Sequence, residues 1–296
     1  MKTFAPGYYK KFKCIASACR HSCCIGWEID IDDDTADCYL SLNDKELKEN
    51  IDFSKGDSAH FILKENGRCP FLDENNLCKI ITKYGENALC DICFEHPRFY
   101  NMRLGNEEAG LGLCCEEAAR IILENDEEFN LVEIEDDGAE VIENSEKFVN
   151  DIRLDIFKII ENKSFSVSEI FDKLGALTSS GFFDFSPEEA EKILRSTERL
   201  DKNWDEKLDL LKISSFSPNN ITDENIKQAI RNLLTYFVYR HCPADKSNPD
   251  FEKKMYFALF SSAVIILIFL SSNDKSLENF EDIARMYSSE IEYLES

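Results

Sequence analysis

The positions of the cysteines constrain this chain more than any other feature of its sequence. Eleven of the twelve cysteines lie between Cys14 and Cys115, and only Cys242 lies outside that span. Thiols that merely filled a core would be scattered along the whole chain. Short spacings such as Cys19-x3-Cys23 and Cys90-x2-Cys93 put several sulfurs within reach of one ion or cluster. We therefore predict a metal or iron–sulfur module in the N-terminal part of the chain.

Length and charge limit the class of protein. The 296 residues suit one large or two modest domains, and a hydrophobic share of 43% with seven prolines indicates a globular fold. The excess of 58 acidic over 34 basic residues gives a net charge of −24, which excludes an ordinary nucleic-acid partner because phosphate binding needs a basic face. An acidic surface could steer lysine-bearing substrates, although it could also simply keep the protein soluble.

No targeting or membrane-spanning segment is expected. The stretch Met1–Lys10 has no apolar core of the kind found in secretory signals, so we expect a cytoplasmic protein whose thiols stay reduced. The most apolar stretch, Tyr256–Leu270, has fifteen residues, fewer than the roughly 20 needed to span a bilayer. It predicts a buried helix instead.

The pattern changes along the chain from short strands to helices. We predict a cysteine-rich module over residues 1–125, an acidic linker over 126–143 and an all-helical domain over 144–296. The fold class is therefore α+β and predominantly α, with a small metal-binding module of short strands followed by a helical domain.

Several local elements can be placed from the sequence. Alternation over Trp27–Asp32 predicts a half-buried strand, and Asn66-Gly67 predicts the turn of a hairpin. A turn at Asp73–Asn76 would bring Cys69 and Cys78 to its two ends. Helices are predicted at Glu116–Leu123, after the capping boxes that begin at Ser166 and Ser186, over Ile226–Phe237 and at the C-terminus.

Familiar catalytic motifs are absent from the sequence. No Gly-x-Gly-x-x-Gly fingerprint, P-loop or Gly-x-Ser-x-Gly motif occurs, which argues against a Rossmann dinucleotide site. Cys90-x2-Cys93 supplies half of a zinc-ribbon pattern, and the three-cysteine radical-enzyme motif fails because Gly26 stands at its third position. Since thiolates bind zinc and iron–sulfur clusters alike, the cysteines alone leave both possibilities open.

The order of the motifs resembles the flagellin lysine-N-methylases, the FliB-like proteins. The matching stretches are Phe12–Cys14, Cys19–Asp32, Gly67–Asp73, Leu77–Ile80, Cys93–Arg98, Leu113–Arg120, Leu200–Trp204 and Leu234–Arg240. The N-terminal half alone also resembles a broader group of zinc- or iron-chelating cysteine-cluster (YkgJ-like) domains.

The resemblance implies a post-translational methyltransferase. Such an enzyme would transfer methyl groups from S-adenosylmethionine to lysine ε-amines of flagellin, or of another lysine-bearing protein, with the help of an iron–sulfur cluster. The metal-binding positions carried over are Cys14, Cys19, Cys23, Cys24, Cys69, Cys78, Cys93 and Cys115. We favour a 4Fe–4S cluster that draws four ligands from Cys23, Cys24, Cys69, Cys78, Cys93 and Cys115, with zinc as the alternative metal.

The chain departs from the family pattern at five positions. Cys90 and Cys114 stand where serine-like residues are expected, His96 where tyrosine is expected and Glu116 where proline is expected, and Cys38 is an additional thiol. These replacements are either neutral or alter the surroundings of the metal.

Residues that could line a methyl-transfer site are Trp27, Asp30, Tyr236 and Arg240. A lysine amine must be neutral to attack a methyl group, so the site has to desolvate it or offer a base. Taken singly, each of these residues also suits a structural role. Two other functions stay open: a zinc- or iron-stabilised interaction module without catalysis, and an iron–sulfur redox or electron-transfer protein.

Overall fold

Helix predominates over strand in the structure, a computed structural model that describes residues 1–53, 58–136, 151–181, 183–197, 199–201, 203–213 and 217–293. The strands are β1 (Lys2–Pro6), β2 (Asp30–Ile31), β3 (Ile51–Asp52), β4 (Ala59–Phe61), β5 (Arg98–Arg103), β6 (Asn106–Leu111) and β7 (Leu131–Asp136). The α-helices are α1 (Asp33–Ser41), α2 (Lys45–Glu49), α3 (Lys79–Tyr84), α4 (Asp91–Glu95), α5 (Glu116–Leu123), α6 (Ile152–Glu161), α7 (Val167–Gly175), α8 (Pro187–Arg195), α9 (Trp204–Asp209), α10 (Glu224–His241), α11 (Phe251–Ser271) and α12 (Leu277–Tyr287). The predicted fold class, α+β and predominantly α, is confirmed.

The chain forms two compact units. The smaller unit comprises Lys13–Phe99, and the larger unit comprises Met1–Phe12 together with Tyr100–Ser296. These units are defined by packing, so their limits differ from those of the predicted domains, and the division at residues 125 and 143 stays a prediction. Within the predicted linker, residues 131–136 form strand β7, while residues 137–143 lie outside the described residues.

The smaller unit is built around a short antiparallel sheet in the order β2-β4-β3. Side chains from the sheet, from α1 and from the later loops form one hydrophobic core, which includes Ile31, Tyr39 and Phe61. Two cysteines, Cys69 and Cys90, belong to the same core. These two sulfurs are therefore part of the packing of the unit rather than attached to its surface.

The predicted hairpin at Asn66-Gly67 is only half right. Both residues have positive φ, 65° and 68°, as a tight reversal requires, and Lys64 N donates to Arg68 O at 2.8 Å. Strand β4, however, pairs with β2 and β3, and Arg68 forms a bridge to Ile25 instead. The turn could be predicted because its chemistry is local, whereas the partner strands come from distant parts of the sequence.

The larger unit contains a four-stranded sheet in the order β5-β6-β1-β7. Strand β1 lies parallel to β6 and antiparallel to β7, so the N-terminal residues fill the middle of the sheet. Strands β5 and β6 lie next to each other at one edge of this sheet. Helix α5 follows β6 and has the predicted bounds, Glu116–Leu123.

The helix start signals in the sequence are confirmed. Ser166 and Glu169 form a reciprocal capping box at the start of α7. Ser186 accepts a hydrogen bond from Glu189 N at the start of α8, and Pro187 occupies its first turn. These signals involve residues three positions apart, so they do not depend on the rest of the fold.

Helix α11 is longer than the apolar stretch suggests. It has 21 residues and is long and apolar enough, by length and composition alone, to cross a membrane. In the structure, however, 67% of its most apolar window is buried inside the protein. This burial fits the predicted core helix, and a helix that is hydrophobic on all sides is typical of the middle of a globular unit.

A buried arginine joins the sheet of the larger unit to α6. Arg153 is 0% exposed and donates through both terminal nitrogens to Glu108 on β6, at 2.6 and 2.8 Å. It also donates to Asp151, the N-cap residue of α6, at 2.7 Å. Burial alone would lower the pKa of Arg153, but the two carboxylates outweigh that effect and raise it. Arg153 therefore stays charged in the core, hydrogen-bonded to both carboxylates.

Arg153→Met should strongly destabilise the protein. The substitution removes the guanidinium that donates to both buried carboxylates, Glu108 and Asp151, so the free energy of unfolding should fall by about 3–5 kcal/mol. Urea denaturation followed by circular dichroism measures the loss. The matched control is Arg120→Met on α5, where the side chain is 47% exposed and pairs with Glu117 and Glu124, and the expected loss is within about 1 kcal/mol. Equal losses for the two variants would contradict this assignment.

Candidate functional site

Five cysteines of the smaller unit lie together, and we call them the thiol cluster: Cys24, Cys69, Cys78, Cys90 and Cys93. Cys69 and Cys90 are buried in the core, and the other three are partly buried and pack against it. Each of the five influences the ionisation of at least one other member, and all five belong to one hydrophobic core or pack against it.

Close backbone approach brings Cys24 beside Cys69. Cys69 N donates to Cys24 O at 2.8 Å, and Gly26 N donates to Gly67 O at 2.9 Å. A Cβ atom on Gly67 would lie 3.1 Å from the backbone nitrogen of Gly26, and Gly67 also has a φ of 68°. A side chain at Gly67 would therefore separate the two segments that carry these cysteines.

The predicted turn at Asp73 places Cys78 near Cys69. The Asp73 carboxylate accepts hydrogen bonds from Asn75 N and Leu77 N, both at 2.8 Å, which closes the turn. Cys78 then bridges back to Leu72, whose backbone N–H donates to Cys69 O at 3.2 Å. The expectation that the two thiols lie at opposite ends of one turn is thus met.

One carboxylate positions the segment that carries Cys90 and Cys93. Asp32 accepts from Thr35 N through Oδ1 and from Asp91 N through Oδ2, each at 2.9 Å. It therefore caps α1 and also satisfies the first backbone N–H group of α4. Cys90 is the N-cap residue of α4, and Cys93 lies on its first turn.

The protonation of the cluster reflects burial and mutual contact. Burial, followed by the neighbouring thiols Cys24 and Cys78, raises the pKa of Cys69 to about 12. A hydrogen bond from Cys23 lowers the pKa of Cys24 to about 7. A hydrogen bond between Cys90 and Cys93 lowers the pKa of Cys90 and raises that of Cys93. Because several buried thiolates repel one another, holding them all ionised requires a cation.

The thiol cluster has the donor atoms that a metal needs, but its sulfurs are not arranged to bind one. Five adjacent and partly buried sulfurs are the donor type that zinc and iron–sulfur clusters take. Among the residues that the structure describes, however, no group of three or more histidine, cysteine or acidic side chains converges closely enough to hold an ion. Binding would therefore require the sulfurs to move closer together.

The predicted ligands are divided between the two units. Cys24, Cys69, Cys78 and Cys93 belong to the thiol cluster, and Cys23 is hydrogen-bonded to Cys24. Cys14 is exposed and accepts from Ala16 N, Cys19 is partly exposed, and the additional Cys38 is exposed on α1. Cys115 is the N-cap residue of α5 in the larger unit. The thiol cluster also includes Cys90, which departs from the family pattern. The Cys90-x2-Cys93 spacing in the sequence indicated this cysteine.

The predicted substrate-lining residues fall into two pairs. Asp30 is exposed on β2 and Trp27 is half-buried, and both belong to the smaller unit. Tyr236 and Arg240 belong to α10 in the larger unit, where both contact one buried carboxylate, that of Glu292. We call Glu292 with Tyr236, Arg240 and His241 the Glu292 cluster.

A π-helical turn over Ser288–Glu292 places the carboxylate of Glu292 next to α10. The side chain of Glu292 is 0% exposed, accepts from Tyr236 Oη at 2.9 Å and lies 2.5 Å from His241 Nε2. Arg240 Nη1 donates to Tyr236 Oη at 2.6 Å and lies 3.4 Å from Glu292 Oε1. Glu292 and His241 could not be assigned from the sequence, because fifty residues separate the contacting positions.

The Glu292 cluster balances its own charges. Burial opposes ionisation of Glu292, but Arg240 and His241 outweigh it and lower its pKa to about 2. Burial raises the pKa of Tyr236 well above its ordinary value, so its hydroxyl stays protonated at neutral pH. Tyr236 is therefore a hydrogen-bonding residue here rather than a general base.

The same cluster contacts the segment that ends at Cys115. Leu113 N donates to Tyr236 Oη at 3.3 Å, and Cys114 Sγ lies 3.2 Å from Tyr293 Oη. The guanidinium of Arg240 lies 5.0 Å from the centre of the Tyr293 ring. The residues just before Cys115 are thus fixed by α10 and by the C-terminal turn.

Comparison with known proteins supports the resemblance. Flagellar biosynthetic protein FliU of Salmonella muenchen is 32% identical over 126 residues, which cover 40% of this chain and 75% of FliU. The chain belongs to the lysine-N-methylase (FliB-like) family. Lysine-N-methylases of Salmonella typhimurium and Salmonella choleraesuis are each 31% identical over 136 residues, or 43% of this chain. That match spans 34% of their length, about a third.

Two further comparisons gave no match. No family model matches the chain, and no solved structure is significantly similar to it. The likeness to cysteine-cluster domains of the YkgJ type therefore stays a prediction.

Stability below pH 4.5 should depend on Glu292. Because folding lowers its pKa from 4.5 to about 2, its ionisation stabilises the fold fully above pH 4.5, and this contribution is lost as the pH falls towards 2. In the Glu292→Gln variant, the free energy of unfolding should therefore decrease less than in the wild type between pH 4.5 and pH 2. The difference should reach up to roughly 3 kcal/mol. Chemical denaturation at a series of pH values measures this.

Glu290 on the same turn provides a control of opposite sign. Burial raises the pKa of Glu290, so its stabilising contribution is largest at low pH and is lost as the pH rises. In the Glu290→Gln variant, the free energy of unfolding should therefore decrease with falling pH at least as steeply as in the wild type. A pH profile that is unchanged by Glu292→Gln would contradict the role given to Glu292.

Proposed function

We propose that the protein is a lysine methyltransferase that transfers methyl groups from S-adenosylmethionine to lysine ε-amines of flagellin or another protein. The similarity to proteins named lysine-N-methylase carries this proposal. The name of FliU supports a flagellar substrate. The net charge of −24 suits a lysine-bearing partner, because acidic surfaces attract basic ones.

The proposal includes a 4Fe–4S cluster, with zinc as the alternative, bound mainly by the smaller unit. Cys24, Cys69, Cys78 and Cys93 are the predicted ligands that lie together, and they would hold the metal as thiolates. When bound, an iron–sulfur cluster would supply one-electron chemistry or a site that anchors the cofactor. The chain itself contributes buried and partly buried thiols, and the turn at Asp73 and the Asp32 cap fix the backbone segments that carry Cys78, Cys90 and Cys93.

The other predicted residues take different parts in this proposal. Tyr236 and Arg240 hold the Leu113–Cys115 segment in place, since their polar groups are engaged with Glu292 and with each other. Trp27 and Asp30 retain exposed surface and stay the candidates for contact with substrate. A carboxylate such as Asp30 could take up a proton from the lysine ammonium before methyl transfer.

One observation favours a second function, that of a metal-stabilised interaction module. Cys69 and Cys90 are part of the hydrophobic core of the smaller unit, as are the ligands of small domains that a metal ion holds together. In such a module the metal would stabilise the fold, and the protein would not bind S-adenosylmethionine.

Metal content tests the cofactor. Protein purified without oxygen should be brown and contain about four irons and four sulfides per chain. Cys69→Ser and Cys78→Ser should lose most of this iron, whereas Cys38→Ser, at an exposed site on α1, should retain it. Iron, sulfide and zinc are measured in the same samples. A colourless protein that holds only zinc would contradict the iron–sulfur proposal and favour the interaction module.

A methyl-transfer assay tests the activity. The purified protein, S-adenosylmethionine and flagellin should yield methylated lysines that mass spectrometry detects on flagellin peptides. If Asp30 accepts the proton, Asp30→Asn should lower kcat by roughly 10²-fold or more, because general bases contribute that much. Asp33→Asn, a neighbouring exposed acid on α1, is the matched control and should leave kcat unchanged. Absence of methyl transfer and of S-adenosylmethionine binding would overturn the proposed function.

A further inference from the structure

Cys90 and Cys93 have the geometry of a disulfide-forming pair. Cys90 is the N-cap residue of α4 and Cys93 is its third helical residue, and Phe94 N donates to Cys90 O at 2.9 Å to close the turn. Helical geometry puts α-carbons three residues apart at about 5 Å, within the roughly 4.4–6.8 Å that a disulfide requires. The two sulfurs already share a hydrogen bond. Forming the bond therefore needs only small side-chain rotations.

Several other cysteines suit a disulfide less well. All twelve cysteines fall within the described residues, and none forms a disulfide in the structure. Cys23–Cys24 and Cys114–Cys115 are direct neighbours in the chain, where a disulfide would strain the intervening peptide. Cys14 and Cys38 are exposed, which leaves them open to small reagents without a partner on the same turn.

The pair also differs in how its two members meet solvent. Cys90 is 0% exposed, whereas Cys93 keeps part of its surface exposed on α4. Neighbouring side chains of the same helix, Ile92 and Phe94, are 50% and 48% exposed. A small reagent can therefore react with Cys93 first. Cys90 can then displace the reagent from the Cys93 sulfur.

We propose that Cys90 and Cys93 are a reversible dithiol–disulfide site that low-molecular-weight disulfides oxidise. Cys93, the member with exposed surface, loses its proton to solvent and attacks one sulfur of the reagent, which releases one small thiolate and leaves a mixed disulfide. Cys90 then loses its proton to solvent and attacks the Cys93 sulfur, and the second small thiol leaves. The two cysteines are oxidised by two electrons, and the reagent is reduced to two thiols.

Oxidation at this site would remove a metal ligand, a consequence that rests on the proposed function. Cys93 is one of the predicted ligands, and a disulfide sulfur no longer binds as a thiolate. Cys90, which the family pattern does not require, would thus make metal occupancy depend on the thiol–disulfide balance.

Peptide mapping tests the pair directly. The full-length protein is treated with oxidised glutathione under anaerobic conditions, quenched by alkylation and digested with trypsin. Cleavage after Lys83 and Arg98 yields one peptide, residues 84–98, which contains Cys90 and Cys93 and no other cysteine. We expect this peptide to lose two hydrogens before any other cysteine pair is oxidised, and dithiothreitol should restore both thiols.

Two variants complete the test. Cys90→Ser should stop at a glutathione adduct on Cys93, while Cys38→Ser should form the Cys90–Cys93 disulfide as the wild type does. A stable adduct on wild-type Cys93, or earlier oxidation of another pair, would overturn the proposal even if Cys90→Ser failed to fold. Metal release, measured in parallel, should follow disulfide formation in the wild type. Because the mapping reads the disulfide itself, it succeeds or fails independently of methyltransferase activity.

Discussion

Two cysteines, Cys69 and Cys90, occupy core positions in the smaller unit that aliphatic side chains would ordinarily fill. The rest of the unit depends on how these two sulfurs are held. A core of aliphatic side chains is held together by burial alone, whereas a thiol can ionise and then resists burial. Cys69 and Cys90 lie among Ile31, Tyr39 and Phe61, so the unit is stable only while these sulfurs are neutral, hydrogen-bonded or bound to a cation. The packing of the unit and its chemistry are thus governed by the same atoms.

The larger unit handles buried charge in a different way. Arg153 contacts Glu108 and Asp151, and Arg240 contacts Glu292, so each of these buried guanidinium groups meets a carboxylate. Breaking such a contact costs more than forming it gains, so these contacts specify the arrangement of the elements more than they add to stability. The first connects β6 to α6, and the second connects the C-terminal turn to α10.

The sequence predicted what is local and missed what is distant. The capping box at Ser166, the bounds of α5 and the reversal at Asn66-Gly67 all depend on residues a few positions apart, and each is observed. The pairing of β4 with β2 and β3 was not predicted, because register depends on segments that meet only in the folded chain. Glu292 was missed for the same reason, since nothing near it in the sequence indicates a buried carboxylate. For the thiols, spacing identified Cys90-x2-Cys93 as a pair but could not show that it joins Cys24, Cys69 and Cys78.

The single carboxylate of Asp32 limits which residues can occupy that position. An ordinary N-cap needs one acceptor oxygen, and serine, threonine and asparagine supply it as well as aspartate does. At Asp32 the two oxygens serve two different helices, Oδ1 for α1 and Oδ2 for α4. A hydroxyl or an amide has only one acceptor oxygen to offer, so either replacement would leave one of the two helices without its partner. The residue permitted here is therefore set by the number of oxygens rather than by capping preference, and a substitution harmless at most helix starts would loosen two elements at once.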